Sequence, residues 1–297
     1  MQDTIGFIGL GAMGRHMVPH LLRAGFAVFV CDTSEQAAAA MVAQGAVRCD
    51  MPRQVGDSAD VVLTCLPTPD VVEQVVVGEN GVAEGGRVRV VVDHSTTGPS
   101  MARSLARRLG ARGIASLDAP LAGGVPGAEA GTLSVMVGGD AQAYARCEPV
   151  FRSFGRKVVH VGREPGLGQV LKLVNNMTVA ATLVATTEAV LFGIKSGLEA
   201  GLLLDMLNAS TARSFASESL LGQDVVHRRF DFGFRIELMR KDLRLFLQEA
   251  EAAGTPAFTS ALTKQFFDHA IAAGHADHDM THVVQVLERM AGVEIAR

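Results

Sequence analysis

The sequence predicts a parallel α/β sheet domain followed by an all-helical domain. In the first half of the chain, short β-branched runs alternate with amphipathic segments of helical length, a pattern typical of βαβ units with helices on both faces of the sheet. Beyond Gly162 no strand pattern recurs, and the apolar residues follow helical spacing. We therefore expect a first domain over residues 1–163 and a second over residues 164–297.

The expected elements follow this division. The strands are IGFIGL, FAVFVCD, VVLTCLP, VRVVVDHS, ASLDAP, LSVMVGG and KVVHVG. Between them, helices are expected up to residue 24, over residues 34–44, 70–77 and 99–112, and after residue 140. In the second domain, helices are expected over residues 166–196, 199–209, 214–221, 237–253, 257–272 and 280–291.

The composition argues against several classes of function. The chain has 297 residues and a net charge of −4 without a long run of either sign, which disfavours a nucleic-acid-binding or polybasic membrane surface. Four scattered cysteines and the lack of an export signal ahead of the first strand predict reduced thiols in a cytoplasmic protein. Polar residues interrupt the apolar run over residues 170–194, which favours a buried helix over a membrane span.

A glycine-rich turn between the first strand and the first helix predicts a dinucleotide site. Its spacing is GxGxxG, in the strand-to-helix context that makes the motif specific. The first glycine permits a tight turn, the second lets the backbone approach a pyrophosphate, and the third allows close helix packing. This assigns the first domain to the Rossmann type, with cofactor contacts from Gly9, Leu10, Gly11, Ala12, Met13 and Gly14.

An acidic residue ends the second predicted strand. Asp32 follows Gly14 at the distance where a carboxylate accepts hydrogen bonds from the adenosine ribose hydroxyls and repels a 2′-phosphate. Thr33 and Ser34 beside it supply no arginine for such a phosphate. The sequence therefore predicts NAD as the cofactor in preference to NADP.

A second glycine-rich stretch, DAPLAGGVPGAEAGTL, follows another apolar strand. Backbone N–H groups in such a loop can converge on an anion, and near a dinucleotide site a substrate carboxylate is the expected anion. A flexible connection between strands is the alternative interpretation.

Six motifs in order make the chain resemble the β-hydroxyacid dehydrogenase family, typified by 3-hydroxyisobutyrate dehydrogenase and tartronate semialdehyde reductase. They are GFIGLGAMG, LPTPDVV, DHSTTGP, DAPLAGG with its downstream AGTL, GLGQVLKLVNN and MRKDL. The resemblance covers nearly the whole chain. It implies a second domain like the C-terminal domain of 6-phosphogluconate dehydrogenase and a homodimer or homotetramer.

The resemblance also implies roles for individual residues. Lys172 matches the catalytic lysine. Substrate contacts are implied for Thr96, Ala122, Gly123, Gly124, Asn176 and Phe234. Further cofactor contacts are implied for Leu66, Pro67, Thr96, Lys241 and Asp242. Ala122 departs from the family, which usually has serine there, so a side-chain hydroxyl for the carboxylate is missing.

The chemistry expected of Lys172 follows from the reaction. Hydride transfer between an alcohol and NAD requires a side chain that removes or returns the proton on the alcohol oxygen. Lys172 and Asn176 stand four residues apart, so on a helix both project from one face. Asn175, about 100° around the helix, has no assigned partner. A lysine in an apolar helix more often reaches the surface, and the flanking motif argues against that alternative here.

Histidines offer competing sites. His94 lies near the predicted cofactor edge and is an alternative acid or base. His269, His275, His278 and His282 resemble metal-ligand spacing, but we expect a polar turn and no metal, because no cysteine supports the cluster and the reaction needs no metal.

The predicted function is an NAD-dependent oxidoreductase that interconverts a small 3-hydroxyacid and its semialdehyde. A related reductase for a sulfonated aldehyde or an imine stays open because of Ala122, although imine reductases of similar fold generally lack the lysine found at Lys172. A non-catalytic dinucleotide-binding module is the remaining alternative, and the presence of both Lys172 and Asn176 counts against it.

Overall fold

The structure, a computed structural model, describes residues 3–297. The chain forms two compact units, Met1–Lys172 and Leu173–Arg297. This division falls inside one long helix, and the predicted domain boundary between residues 163 and 164, just before that helix, stays a prediction. An α/β unit followed by a helical unit confirms the predicted fold class.

The first unit contains a single mixed sheet of nine strands. The strands are β1 (Ile5–Ile8), β2 (Val28–Cys31), β3 (Val47–Arg48), β4 (Val61–Thr64), β5 (Val90–Asp93), β6 (Ala115–Asp118), β7 (Leu121–Ala122), β8 (Leu133–Gly139) and β9 (Gly155–Gly162). Strands β3-β2-β1-β4-β5-β6 are parallel neighbours in that order. Strand β8 is antiparallel to both β6 and β7 and parallel to β9.

The strand order places a topological switch between β1 and β4. The chain leaves β1 toward β2 and β3 on one side and returns to β4 on the other. In open parallel sheets, ligands bind beyond the carboxyl ends of the strands at such a switch. The turns after β1 and β4 are therefore the first place to look for a site.

Both faces of this sheet are buried. Ile5 and Phe7 of β1 pack in one apolar cluster, and Ile8 packs in the other. This arrangement explains why the strands have continuous apolar runs instead of alternating ones. The covering helices are α1 (Gly14–Arg23), α2 (Glu35–Val42), α3 (Pro52–Ser58), α4 (Pro69–Val77), α5 (Pro99–Gly110), α6 (Gly124–Ala130) and α7 (Ala141–Phe154), with a 3₁₀ turn at Val82–Glu84.

The sequence pattern does not predict four short strands and α-helices of this unit: β3, α3, β7 and α6. Each has two or seven residues, too few for hydrophobic periodicity to register. The stretch expected as an open glycine loop is thus a short strand followed by a helix. Gly123 and Gly124, with φ of 124° and 62°, make the turn between them, a backbone conformation that glycine adopts without steric cost.

The second unit is helical. Its α-helices are the continuation of α8 (Leu167–Lys195), then α9 (Ala200–Asn208), α10 (Ile236–Ala252), α11 (Phe258–Ala272) and α12 (Val283–Ala291), with 3₁₀ turns at Val225–His227 and Met280–His282. The segment predicted as an α-helix over residues 214–221 is instead wound as a π-helix at Ala216–Asp224. Ser214 and Ser217 exchange side-chain hydrogen bonds with each other's backbone at its start, and such bonds compete with the α-helical pattern.

Helix α8 is unusually apolar. It is the one helix of residues 3–297 with the length and composition to cross a membrane, a test that core helices of soluble proteins also pass. Fewer than half of the residues in its most apolar stretch are buried within the chain. Its exposed large apolar side chains are Val170, Leu171, Val174 and Phe192.

Candidate active site

The glycine turn after β1 is shaped by close contacts. Gly9 has a φ of 99°, and a Cβ there would overlap the carbonyl oxygen of Cys65. A Cβ at Gly14 would overlap the carbonyl oxygen of Gly9. These two glycines allow the turn to pack against the end of β4 and helix α1 to start against the turn.

The middle of the turn is open, as a pyrophosphate would require. A Cβ at Gly11 would meet no atom within 4 Å, and Gly11 and Ala12 are exposed. Helix α1 has no side-chain cap hydrogen bond and no acidic residue in its first turn. Its N-terminal N–H groups are therefore suited to an anion, so the residues present fit a dinucleotide.

Asp32 does more than the sequence indicated. Its Oδ2 accepts a hydrogen bond from the N–H of Leu10 at 2.5 Å, and its Oδ1 accepts one from the N–H of Ser34 at 2.7 Å. The carboxylate thus braces the glycine turn. Each oxygen keeps a second lone pair that can accept a further hydrogen bond, and the ribose contact of Asp32 stays a prediction.

Arg48 lies on the neighbouring strand β3, paired with Val30 of β2, the strand that ends just before Asp32. Its guanidinium pairs with Glu35 at 3.4 Å and with Asp50 at 3.1 Å. All three side chains are exposed, so each pair contributes little to stability. The two carboxylates nevertheless balance the positive charge near Asp32.

A buried carboxylate organises the turns after β4 and β5. Oδ1 of Asp93 accepts hydrogen bonds from Thr64 Oγ1 at 2.9 Å and from the N–H of Ser95 at 3.0 Å, and Oδ2 accepts one from Thr97 Oγ1 at 3.2 Å. Ser95 Oγ in turn accepts a hydrogen bond from the N–H of Leu66 at 2.8 Å. Burial raises the pKa of Asp93. This network fixes the loop containing Thr96 to the turn that begins with Leu66 and Pro67.

Gln169 ties the same loop to the start of α8. Its Oε1 accepts hydrogen bonds from the N–H groups of Thr97 at 3.0 Å and Gly98 at 3.1 Å, and its Nε2 donates to the carbonyl oxygen of Ser95 at 2.8 Å. The side chain is fully buried. The loop that holds Thr96 is therefore clamped on both sides by one carboxamide.

Asp118, at the end of β6, accepts hydrogen bonds from the start of α8. Its Oδ1 accepts from the N–H of Gly166 at 2.7 Å, and its Oδ2 accepts from the N–H of Gln169 at 2.9 Å. Burial raises the pKa of Asp118 to about 6, although these two N–H groups oppose the rise. Gly168 lets the helix approach this closely, since a Cβ there would overlap the carbonyl oxygen of Met136.

The sequence motifs contain Asp93, Ser95, Asp118 and Gln169, but sequence reasoning gave none of them a role. Their partners lie up to 74 positions away along the chain. Burial of a polar residue inside an apolar motif was the available signal.

Lys172 follows on the turn of α8 after Gln169 and is half-buried. Asn176 stands one turn further and is buried, so the predicted i, i+4 pair lies on one continuous helix. The roles predicted for both residues stay predictions.

In the second unit, Asn176 belongs to a polar network. Its Nδ2 donates to Oδ2 of Asp242 at 2.6 Å, and its Oδ1 accepts from Nδ2 of Asn175 at 3.1 Å. Oδ1 of Asp242 lies 3.2 Å from Nζ of Lys241, as an ion pair without a well-aligned hydrogen bond. The partner of Asn175, which the sequence did not indicate, is therefore Asn176. Asn175 holds the oxygen of the Asn176 amide, and Asp242 holds its nitrogen.

Helix α6 is anchored by His20. Nε2 of His20 lies 3.0 Å from the carbonyl oxygens of both Ala128 and Glu129, at the end of the helix, while Arg23 donates to its Nδ1 at 2.8 Å. The arginine bond requires an unprotonated Nδ1, so Nε2 carries the hydrogen and donates to the carbonyls. His20 therefore supports the helix that follows Ala122 and Gly123.

Phe234 lies in the loop that precedes α10 in the second unit. Its N–H donates to Oδ2 of Asp279 at 3.0 Å, and its carbonyl oxygen accepts from the N–H of Met280 at 2.7 Å. The ring is half-buried against the helical core. Its predicted substrate contact stays a prediction.

His94 is a core residue. Its Nδ1 donates to the carbonyl oxygen of Ala119 at 2.7 Å, and its ring packs edge-on against Phe151 and Phe154. Burial lowers the pKa of His94 to about 4. The imidazole is thus neutral and enclosed, which excludes the alternative role as the acid or base.

The C-terminal histidines form a stack. The rings of His275 and His278 are 4.8 Å apart, and those of His278 and His282 are 4.7 Å apart. Within residues 3–297, no group of three or more His, Cys, Asp or Glu side chains is arranged to hold a metal ion.

Comparison with known families places both units. A family model described as the NAD binding domain of 6-phosphogluconate dehydrogenase matches residues 4–162. A second, described as the NAD-binding domain of NADP-dependent 3-hydroxyisobutyrate dehydrogenase, matches residues 166–287.

Individual proteins match over nearly their full length. 2-(Hydroxymethyl)glutarate dehydrogenase of Eubacterium barkeri is 36% identical, with 98% of this chain and 97% of that protein covered. 2-Hydroxy-3-oxopropionate reductase of Escherichia coli is 36% identical over 98% and 99% of the two chains. The structure of Mycobacterium tuberculosis 3-hydroxyisobutyrate dehydrogenase with L-serine is 33% identical, with a TM-score of 0.86 over 97% of this chain and 99% of that one.

Proposed function

The chain belongs to the β-hydroxyacid dehydrogenase family, and on this premise we propose that Lys172 catalyses the interconversion of a small 3-hydroxyacid and its semialdehyde with NAD. One observation carries the proposal. The carboxamide of Gln169, one turn before Lys172, is bonded to the loop of Thr96, and that loop is bonded through Ser95 to the turn of Leu66 beside the glycine motif.

The residues of the chain supply three functions in this reaction. Bound NAD supplies the hydride acceptor, or as NADH the donor. The turn from Gly9 to Gly14 and the start of α1 bind the pyrophosphate. Lys172 takes the proton from the alcohol oxygen during oxidation and returns it during reduction. Its ammonium also stabilises negative charge that develops on that oxygen.

The asparagine pair orients the reacting oxygen. Because Asn175 and Asp242 each hold one end of the Asn176 amide, that amide keeps one N–H and one oxygen lone pair for substrate. A fixed amide positions a hydroxyl without competing for its proton. Phe234, Lys241 and Asp242 keep their proposed places beside substrate and cofactor.

The substrate is proposed to be a short carboxylate. Backbone N–H groups at Gly123 and Gly124 are the proposed donors to the carboxylate, since Ala122 offers no hydroxyl. The named substrates of the relatives, 2-(hydroxymethyl)glutarate, 3-hydroxyisobutyrate and 2-hydroxy-3-oxopropionate, define the panel to test first. A sulfonated aldehyde is included because a missing hydroxyl alters an anion site.

NAD is preferred on electrostatic grounds. Asp32 occupies the ribose position, and Arg48 is already paired with Glu35 and Asp50, so a 2′-phosphate would meet three carboxylates and one engaged guanidinium. Comparison of kcat/KM for NADH and NADPH on the same aldehyde tests this. More efficient use of NADPH would contradict it.

The test of the catalytic role is a Lys172→Ala variant. We expect NAD binding to persist while kcat falls about 10²-fold or more, because the acid–base group is gone. Lys157→Ala, an exposed lysine on β9, is the matched control and should retain wild-type kcat. Turnover at the wild-type rate by Lys172→Ala would refute the role, and silence of the wild type across the panel would refute the proposed reaction.

We further propose a homodimer or homotetramer located in the cytoplasm. The second unit leaves large apolar side chains exposed, among them Phe192, Met206, Phe258 and Leu262, and a second copy of the chain would cover them. All four cysteines are free thiols, as expected in a reducing compartment. Sedimentation as a monomer at micromolar concentration would contradict the assembly, and recovery outside the cytosolic fraction would contradict the location.

A further inference from the structure

Gln169 sits between the cofactor loop and the catalytic helix. It is fully buried, belongs to the first turn of α8, and makes three hydrogen bonds to the backbone of one loop, at Ser95, Thr97 and Gly98. Thr96 is the single residue of that loop between the bonded positions. No part of the proposed chemistry uses this carboxamide.

Gln169 and Lys172 are neighbours on the surface of the helix. Residues three apart on a helix have Cβ atoms about 5–6 Å apart. The backbone N–H of Gln169 is also fixed, because it donates to Oδ2 of Asp118 at 2.9 Å. Main chain and side chain of one residue therefore join α8 to the ends of two strands, β5 through the Ser95–Gly98 loop and β6 through Asp118.

We propose that Gln169 is a positioning residue for hydride transfer: its carboxamide sets the placement of Lys172 relative to the loop of Thr96. This inference rests on the proposed function. Both the oxygen and the nitrogen of the amide are needed, since Oε1 accepts hydrogen bonds from two N–H groups and Nε2 donates one to a carbonyl oxygen. Neither a carboxylate nor an apolar side chain of the same size reproduces that set.

A Gln169→Glu variant separates positioning from packing. The glutamate is isosteric and keeps an oxygen for the N–H groups of Thr97 and Gly98. Its second oxygen would face the carbonyl oxygen of Ser95 without a hydrogen between them, which is unfavourable in a buried site. A protonated glutamate restores a donor at that point, so acidification should repair the variant.

We expect kcat of Gln169→Glu at pH 8 to be about 10²-fold below the wild type, the scale of a misplacement of about 1 Å. Binding of NADH should stay close to the wild type, and the variant should stay folded at the assay temperature, with an unfolding temperature a few degrees lower because of the unfavourable contact with the Ser95 carbonyl oxygen. The ratio of variant to wild-type kcat should rise at least about fivefold between pH 8 and pH 6. Asp93, Asp118 and Lys172 are present in both proteins, so the ratio removes the part of the pH profile that the two proteins share.

The deuterium isotope effect on kcat gives a second readout. With substrate deuterated at the carbinol carbon, the effect should be larger for Gln169→Glu, because hydride transfer becomes a larger part of the rate limitation. Gln265→Glu, an exposed glutamine on α11, is the control and should match the wild type in every measurement.

The outcomes are decisive. A kcat within threefold of the wild type at pH 8, or a ratio that does not change with pH, overturns the proposal. So does a loss of turnover that only parallels loss of folded protein or of NADH binding, since that is a structural role. Silence of the wild type would instead count against the proposed function, so the two failures are distinguishable.

Discussion

A methyl group added at Gly168 tests whether the fit of α8 against the sheet sets the geometry of the site. Gly168 is buried in the first turn of that helix. A Cβ there would overlap the carbonyl oxygen of Met136 and lie 2.8 Å from that of Asp118. Carbon atoms in ordinary contact are roughly 3.5–4 Å from their neighbours, so Gly168→Ala would push the start of α8 away from the sheet by roughly 1 Å.

Such a displacement has a cost in stability and in rate. The bonds from Asp118 to Gly166 and Gln169, now 2.7 and 2.9 Å, would stretch beyond hydrogen-bond length. Overpacking costs about 1–3 kcal/mol, and weakened bonds to a buried carboxylate add about 1 kcal/mol or more. We expect a loss of about 2–4 kcal/mol in the free energy of unfolding. Because Lys172 moves with the helix, kcat should fall about 10²-fold.

Urea unfolding followed by circular dichroism measures the first quantity, and steady-state kinetics with NAD measure the second. Gly110→Ala is the matched control. Gly110 is the exposed last residue of α5, and a Cβ there meets no atom within 4 Å, so alanine should be neutral or stabilise by up to about 1 kcal/mol. If Gly168→Ala unfolds and turns over like the wild type, the close approach of helix and sheet does not fix the site.

Two further changes probe the same scaffold. Burial lowers the pKa of His94 to about 4 from an ordinary value of 6.5. The stability that the folded protein gains by keeping this imidazole neutral is therefore fully present above pH 6.5 and is lost as the pH falls toward 4. The free energy of unfolding should therefore fall by about 3 kcal/mol more over that range in the wild type than in His94→Phe; equal pH slopes in urea titrations would contradict this. Asn175→Ala removes one hydrogen bond, worth about 1 kcal/mol, from the Asn176 amide and should lower kcat about fivefold with NADH affinity unchanged. An unaltered kcat would show that Asn176 needs no support from this side.

Local patterns predicted the parts of the site that neighbouring residues determine. The glycine motif and Asp32 fall at strand ends that alternation of apolar runs and helices already indicates, and the structure places them at β1 and β2. The spacing of Lys172 and Asn176 needed only helix periodicity. Each of these predictions depends on residues that lie close together in the sequence.

The remaining contacts escaped prediction because they join distant positions. Gln169 bonds to Ser95, and Asp118 bonds to Gly166, across separations of 74 and 48 residues. One sequence has no signal for such pairs. The partner of Asn175 escaped prediction for a different reason. Helix phase gives the direction of its Cα–Cβ bond, but the side chain is long enough to reach the amide of the next residue.

The directional hydrogen bonds of Gln169 matter because a helix can rotate about its own axis. The Nζ of an extended lysine lies roughly 8 Å from the helix axis, so a rotation of α8 by 10° would move that atom by about 1.4 Å. A movement of this size is enough to cost about 10²-fold in rate. Apolar side chains such as Leu173 can slide through such a rotation with little change in buried area, because burial has no preferred direction. Hydrogen bonds weaken as their angles depart from linear, so the three bonds of the Gln169 carboxamide resist the rotation that packing alone would permit.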